Sequence, residues 1–255
     1  MNDSNFKDAF RSGRRLRGFQ LTSLAPHWPR HLQGCIDFAF VDCEHHCFSR
    51  EQVAWLSAAY RGYGIAPVVR VLRADGALVR AAIDDGAEGV VIPYVESVSQ
   101  VREVVAACKL RPIQGERARR AMEGDTLPDA ISSVVEKHCG DVSVILQIES
   151  EIAVERCEEL LAVEGVDGVL VGPFDLTATL GCLGDHEDER FKEAAKRIAS
   201  LARGHGLGAG IYFAESPKKE AWAESLGYNL VVQGCDVNLI QEAIALRDSV
   251  SSARA

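Results

Sequence analysis

Long apolar runs are missing from this 255-residue chain; no stretch approaches the roughly 18 apolar residues that a bilayer-spanning helix needs. An excess of positive charge is missing too. With 28 Lys+Arg against 37 Asp+Glu the net charge is −9, which argues against nucleic acid and anionic membrane surfaces as partners. A small anionic ligand stays open, because one arginine and a metal ion reverse a local potential. No glycine-rich phosphate turn follows an early strand, which speaks against a dinucleotide-binding open sheet. The eight cysteines (35, 43, 47, 108, 139, 157, 182 and 235) lack any framework spacing, and most lie in or beside apolar runs where a thiol acts as a small hydrophobe. With an opening segment that carries no apolar core of a secretory signal, this predicts a reduced, cytoplasmic protein. Linkers, short-period repeats and low-complexity segments are absent as well. The expectation is a single domain over residues 1–255 with a frayed tail at about 249–255.

What the chain has instead is a regular alternation. Short, β-branched, nearly continuous apolar runs predict strands at 17–24, 35–41, 66–72, 89–95, 142–148, 167–171, 207–212 and 229–233. Such runs suit strands buried on both faces. A helix is predicted at 5–15 ahead of the first strand. Further helices follow at 49–61, 75–85, 97–108, 128–137, after 149 to about 162, 187–204, 216–226 and 236–247. Ser49 and Gln52 have capping-box spacing. The stretch from Gly115 to Thr126 reads as irregular and basic. Eight strands alternating with helices give the α/β class and a (β/α)8 TIM barrel.

In such a barrel, catalytic groups gather where strands end. The second strand exits into Asp42, Glu44, His45 and His46, the third carries Arg70, and the fifth ends at Gln147 and Glu149. The sixth turns through Gly172, Pro173, Phe174 and Asp175, and the eighth exits to Gln233 and Asp236. Glu149 and Asp175, at the ends of consecutive strands, form a candidate divalent-metal pair; Mg²⁺ or Mn²⁺ suits two carboxylates completed by water and substrate oxygens. Either acid alone reads equally well as a helix cap. Arg70 sits in an apolar strand, where a guanidinium needs an anion: a substrate carboxylate, a developing enolate, or Glu44. A histidine after the second strand, oriented by Asp42, reads as a general base, with His45 and His46 both candidates. The run Cys43–Cys47 lacks the second Cys/His pair of a structural zinc site. The amides of Phe174 and Asp175 are candidate donors to a carboxylate, whereas Pro173 has no amide hydrogen. Trp28, Trp55 and Trp222 read as packing residues.

Taken together, FVDCEHHCFS, PVVRV, DDGAEGVVIPYV, LQIES and GVDGVLVGPFDLTATLG resemble the HpcH/HpaI aldolases, the class II pyruvate-dependent aldolases, over roughly residues 14–247. The resemblance implies a metal-dependent carbon–carbon lyase that forms or cleaves 2-oxo acids through a pyruvate- or oxaloacetate-type enolate, with an aldehyde as second substrate. It implies Glu149 and Asp175 as metal ligands, Arg70 on the enolate oxygen, and His45 as the base. Gln147 and the turn at Gly172 and Phe174 would fix the substrate carboxylate, while Asp42 and Asp84 would support the histidine. It further implies a homo-oligomer, a hexamer or dimer, with the last helix exchanged between subunits. Two alternatives accompany this reading. One is a condensing enzyme joining oxaloacetate and acetyl-CoA to citrate for siderophores, to which the basic stretch at 115–120 and the polar Tyr94 and Tyr212 would suit an acyl-CoA. The other is a non-catalytic barrel that binds a 2-oxo acid.

Overall fold

Eight parallel strands close into a barrel in the order β1 to β8, with β8 pairing back onto β1. The computed structural model describes residues 5–139, 141–212 and 217–252; side chains at 136–139, 217 and 248–252 lie outside that description. The strands are β1 Leu16–Leu21, β2 Phe38–Asp42, β3 Ala66–Arg70, β4 Gly89–Ile92, β5 Ser143–Ile148, β6 Gly168–Val171, β7 Gly208–Tyr212 and β8 Leu230–Cys235. They fall within or close to the runs expected from sequence, but most are shorter. The trimmed residues belong to the loops at either end of the strands.

Apart from the first, the helices lie outside the strands. They are α1 Phe6–Arg11, α2 Trp28–Leu32, α3 Arg50–Arg61, α4 Gly76–Asp84, α5 Val98–Lys109, α6 Gly115–Met122 and α7 Asp129–Cys139. Next come α8 Glu151–Glu155, α9 Cys157–Leu161, α10 Pro173–Thr179, α11 Glu189–Gly204, α12 Pro217–Ser225 and α13 Asp236–Ser252. Ser49 and Gln52 form the expected capping box on α3, and Ser97 with Gln100 forms a second on α5. Asp75 and Asp188 cap α4 and α11. α13 runs past the expected end at 247, and residues 253–255 of the expected frayed tail lie outside the described residues. No described helix is long and apolar enough to cross a membrane.

The stretch expected to be irregular, Gly115 to Thr126, is mostly helix. Its charges sit at helical spacing: Arg119 bonds Glu116 at 2.5 Å and Glu123 at 2.5 Å, and Arg120 bonds Glu116 at 3.2 Å. Such pairs, three and four residues apart, support a helix with almost no apolar face.

Two apolar layers share the strands. Residues pointing outward, among them Val41, Val69, Val90, Leu146 and Val169, pack against the helices. Residues of opposite parity, among them Phe38, Phe40, Val68, Val91, Ile145, Leu170 and Leu230, fill the barrel interior. α1 plugs the end where the strands begin. Its Phe6 and Phe10 lie 6.0 Å apart and join that interior cluster. The plug fits because β6 and β7 begin with glycine: a Cβ on Gly168 would meet the Phe10 ring at 2.3 Å, and one on Gly208 at 2.5 Å. Gly208→Ala should therefore destabilise the fold by about 1–3 kcal/mol through overpacking. A lower urea midpoint at unchanged slope, partly restored by adding Phe10→Leu, is the expected result. A neutral Gly208→Ala would refute the plug.

Candidate active site

Strand parity places the site. Side chains alternate along a strand, so the parity that puts Leu16, Phe38, Phe40, Val68, Ile145 and Leu170 inside continues upward to Gln20, Asp42, Arg70, Gln147 and Tyr212. Glu149 lies one step beyond β5 and Gly172 one step beyond β6, with the same parity. The register sets Asp42 directly beside Arg70. Gln20, Arg70, Gln147, Gly172 and Tyr212 line a cavity of about 500 Å³ at the strands' C-terminal end, together with His45, Phe174, Asp175 and His186, while Asp42 and Glu149 are buried and bonded to Arg70 and Gln147.

Asp42 and Arg70 form the centre. Asp42 is fully buried, and its carboxylate receives Arg70 Nε at 2.8 Å and Nη2 at 2.7 Å, with Gln20 Nε2 at 2.8 Å. It also accepts the amides of Glu44 at 3.0 Å and His45 at 3.4 Å. Burial alone would raise the Asp42 pKa; Arg70 and the two amides outweigh it and hold the carboxyl below its usual value. The Nη1 edge of Arg70 is left toward the cavity, with Glu44 at 3.0 Å and Gln147 Oε1 at 3.5 Å. The guanidinium carbon lies 5.6 Å from the centre of the Phe40 ring.

Opposite stand the acids. Glu149 is 2% exposed. Its Oε1 accepts the Tyr94 amide at 2.8 Å, and its Oε2 accepts from Gln147 Nε2. Tyr94 has φ 51°, left-handed backbone unusual for a tyrosine, which follows β4 and delivers that amide. Gly172 admits the carboxylate: a Cβ there would stand 2.6 Å from Glu149 Oε2. Burial, followed by the charges of Glu44 and Asp175, raises the Glu149 pKa to about 7. Burial likewise raises Glu44. Arg70 faces this group while already engaged by Asp42, so negative charge is in excess. Oxygen donors in surplus negative charge fit a hard divalent cation. Among the described residues no three His, Cys, Asp or Glu side chains form a ready-made ligand set.

The structure corrects several sequence expectations. Asp42 holds the His45 backbone amide and not its ring; the acid nearest that ring is Glu44, 3.9 Å from Nε2. The Asp42 carboxylate is already occupied by Arg70 and Gln20. Asp84 ends α4, whose run back along the barrel carries it away from the mouth, where it pairs with Arg111 at 2.6 Å. Within one chain it cannot support His45. The Gly172 amide donates to Ile148 O at 3.4 Å, so its contribution is the space it leaves. Phe174, 65% exposed, lines the cavity. His45 lines the cavity, whereas His46 packs near Phe48. The basic stretch, now α6, lines a separate groove with α4 and α5 and no part of this cavity. Sequence reasoning missed Gln20, the Tyr94 amide and His186. Gln20 was legible as an inward polar residue at the end of the first strand, and its Oε1 accepts the Tyr212 hydroxyl at 2.5 Å.

Comparison with known proteins agrees with this fold. The family model described as HpcH/HpaI aldolase/citrate lyase matches residues 36–243. A hydroxypyruvate/pyruvate aldolase of Deinococcus radiodurans is 32% identical over 246 residues, covering 94% of this chain and 87% of that protein. A 4-hydroxy-2-oxo-heptane-1,7-dioate aldolase of Salmonella paratyphi C is 30% identical over 253 residues, covering 96% and 94%. The crystal structure of an HpcH/HpaI aldolase from Desulfitobacterium hafniense superposes with a TM-score of 0.82 at 28% identity, covering 98% of this chain and 96% of that one.

The raised Glu149 carboxyl has a consequence for stability. A carboxyl whose pKa is higher folded than unfolded weakens the metal-free fold as pH rises from the unfolded value near 4.5 to about 7. Glu149→Gln removes that penalty. In EDTA, its melting temperature should gain on wild type by a few degrees between pH 5 and pH 8; a gap independent of pH would contradict the assignment.

Proposed function

Because the chain belongs to the HpcH/HpaI aldolase/citrate lyase family, we propose that it is a divalent-metal-dependent aldolase acting on small 2-oxo acids. The observation that carries this reading is one cation, Arg70, set among Asp42, Glu44, Glu149 and Asp175 at the mouth of a barrel. Glu149 and Asp175 would hold Mg²⁺ or Mn²⁺, which supplies Lewis-acid polarisation of the 2-oxo group.

The chain's own residues do the rest. Gln147, fixed between Arg70 and Glu149, orients the substrate carboxylate in the cavity that Gly172 and Phe174 also line. In cleavage of a 4-hydroxy-2-oxo acid, His45 takes the 4-hydroxyl proton as the C3–C4 bond breaks. The aldehyde leaves, and the bonding electron pair passes to the enolate. The Nη1 edge of Arg70 donates to the enolate oxygen, and a proton added at C3 yields the smaller 2-oxo acid. Asp42 keeps that edge in place by occupying the other one.

We also propose one folding unit that assembles with copies of itself. Val237, Ile240 and Ile244 of α13 are about half exposed, an apolar face that a second copy would cover. The described cysteines are free thiols, consistent with a cytoplasmic protein.

Exchange of the pyruvate methyl protons in D₂O, followed by NMR, tests the enolate chemistry. Exchange dependent on Mg²⁺ or Mn²⁺ is expected, falling by roughly a hundredfold or more in Glu149→Gln and Arg70→Met. Absence of exchange in wild type would leave a non-catalytic 2-oxo-acid-binding barrel. Citrate formed from oxaloacetate and acetyl-CoA, without any aldol product, would reassign the chain as a condensing enzyme. For the assembly, Ile240→Asp with Ile244→Asp should reduce the mass measured by light scattering; an unchanged mass would place the interface elsewhere.

A further inference from the structure

We propose that Tyr212 and Gln20 are positioning residues: the Tyr212 hydroxyl sets the Gln20 amide, Gln20 holds Asp42, and Asp42 holds Arg70 for the enolate. The inference rests on the aldolase reading and extends it from the Arg70–Asp42 pair to two polar side chains of β1 and β7.

The direction of each bond follows from what its groups can do. Asp42 receives Arg70 Nε on Oδ1 at 2.8 Å and Nη2 on Oδ2 at 2.7 Å, and its carboxyl is held below its usual pKa. An ionised carboxylate only accepts. Gln20 therefore faces it with the amide nitrogen, Nε2 to Oδ2 at 2.8 Å, and turns Oε1 away. Oε1 carries no proton, so the Tyr212 hydroxyl, 2.5 Å from it, is the donor. Burial raises the Tyr212 pKa to about 12, so the hydroxyl keeps that proton near neutrality.

The two oxygens of Asp42 are not held alike. Oδ1 also accepts the amides of Glu44 and His45, which the main chain fixes. On Oδ2, among the described residues, Arg70 has only Gln20 beside it. Without the Tyr212 hydroxyl the amide of Gln20 is free to turn over. Its oxygen would then face Oδ2, repel it and loosen the Nη2 bond. The hydroxyl reaches Gln20 across β8, so one bond ties β7 to β1 at the mouth. The Tyr212 ring is placed separately, edge-on to Phe40 at 6.4 Å, and Phe40 also lies under the Arg70 guanidinium. Tyr212→Phe therefore removes the hydroxyl and leaves the ring packing.

The test is a double-mutant cycle on the exchange of pyruvate methyl protons with Mg²⁺, in wild type, Tyr212→Phe, Gln20→Leu and the double variant. Gln20→Leu should lower kcat about tenfold and Tyr212→Phe roughly threefold, because each loosens a bond to a charged group. KM for pyruvate should change by less than about twofold, as expected when only the transition state loses an interaction. The double variant should match Gln20→Leu, since the hydroxyl acts through the amide. A second readout uses the metal-free protein: the Arg70 Nε–H resonance, identified by its absence in Arg70→Met. Its exchange with solvent should be about tenfold faster in Gln20→Leu and intermediate in Tyr212→Phe. Losses that multiply in the double variant, or an Nε–H exchange rate unchanged in both single variants, would overturn the proposal. With pyruvate exchange present in wild type, either result sinks only these positioning roles. No exchange in wild type sinks the aldolase reading and this inference together.

Discussion

Everything at the mouth of this barrel depends on the bidentate pair between Arg70 and Asp42. The register between β2 and β3 puts them side by side, both with the inward parity. The pair is almost wholly buried, and burying two charges is favourable only when their geometry is complete and their remaining groups are bonded. Here Gln20 and two backbone amides complete Asp42, and Glu44 with Gln147 completes Arg70. The result is a guanidinium that cannot swing, with one edge on Asp42 and the Nη1 edge, beside Glu44 and Gln147, at the cavity. A lysine in its place would offer a point charge without two edges.

The second constraint is a charge imbalance. Arg70 neutralises Asp42, which leaves Glu44, Glu149 and Asp175 around one cavity. Burial, followed by the charges of Glu44 and Asp175, raises the Glu149 carboxyl to about 7. A cradle of Gly172, the Tyr94 amide and Gln147 keeps the carboxylate in position. The left-handed backbone at Tyr94 is strain of the kind that accumulates at working sites. Enolate chemistry needs this combination of a site that takes up a hard cation and a fixed donor for the developing oxyanion.

Much of this was legible in the sequence, because parallel strands buried on both faces leave so little freedom. Alternating β-branched runs defined the eight strands. A charged or polar residue inside such a run, as at Arg70 and Gln147, has to lie at the mouth or face an unmet charge. Strand-end acids at Glu149 and Asp175 could be paired on that ground alone. Other features hid where local pattern and tertiary placement diverge. Asp42 sits three residues before His45, and that spacing suggested a ring partner; only the β2–β3 register reveals Arg70 as its true one. Asp84 is distant because helix direction, not sequence proximity, decides which end of the barrel a residue reaches. His186 belongs to a loop with no periodicity, so nothing local marks it, and Gly168 and Gly208 look like weak strand positions until Phe10 is seen against them. The charges of α6 did repeat at helical spacing, and reading them as a loose basic insert overlooked that signal.

The central claim is that the surplus carboxylates at the barrel mouth exist to hold one divalent cation beside Arg70. Titration of the metal-free chain with Mn²⁺, followed by electron paramagnetic resonance, tests it directly. The account predicts loss of the free-ion signal to a limit of one Mn²⁺ per chain, tighter uptake when oxalate is added as an enolate mimic, and loss of the site in Glu149→Gln. An unperturbed free-ion signal throughout the titration, or uptake that survives Glu149→Gln, would contradict it.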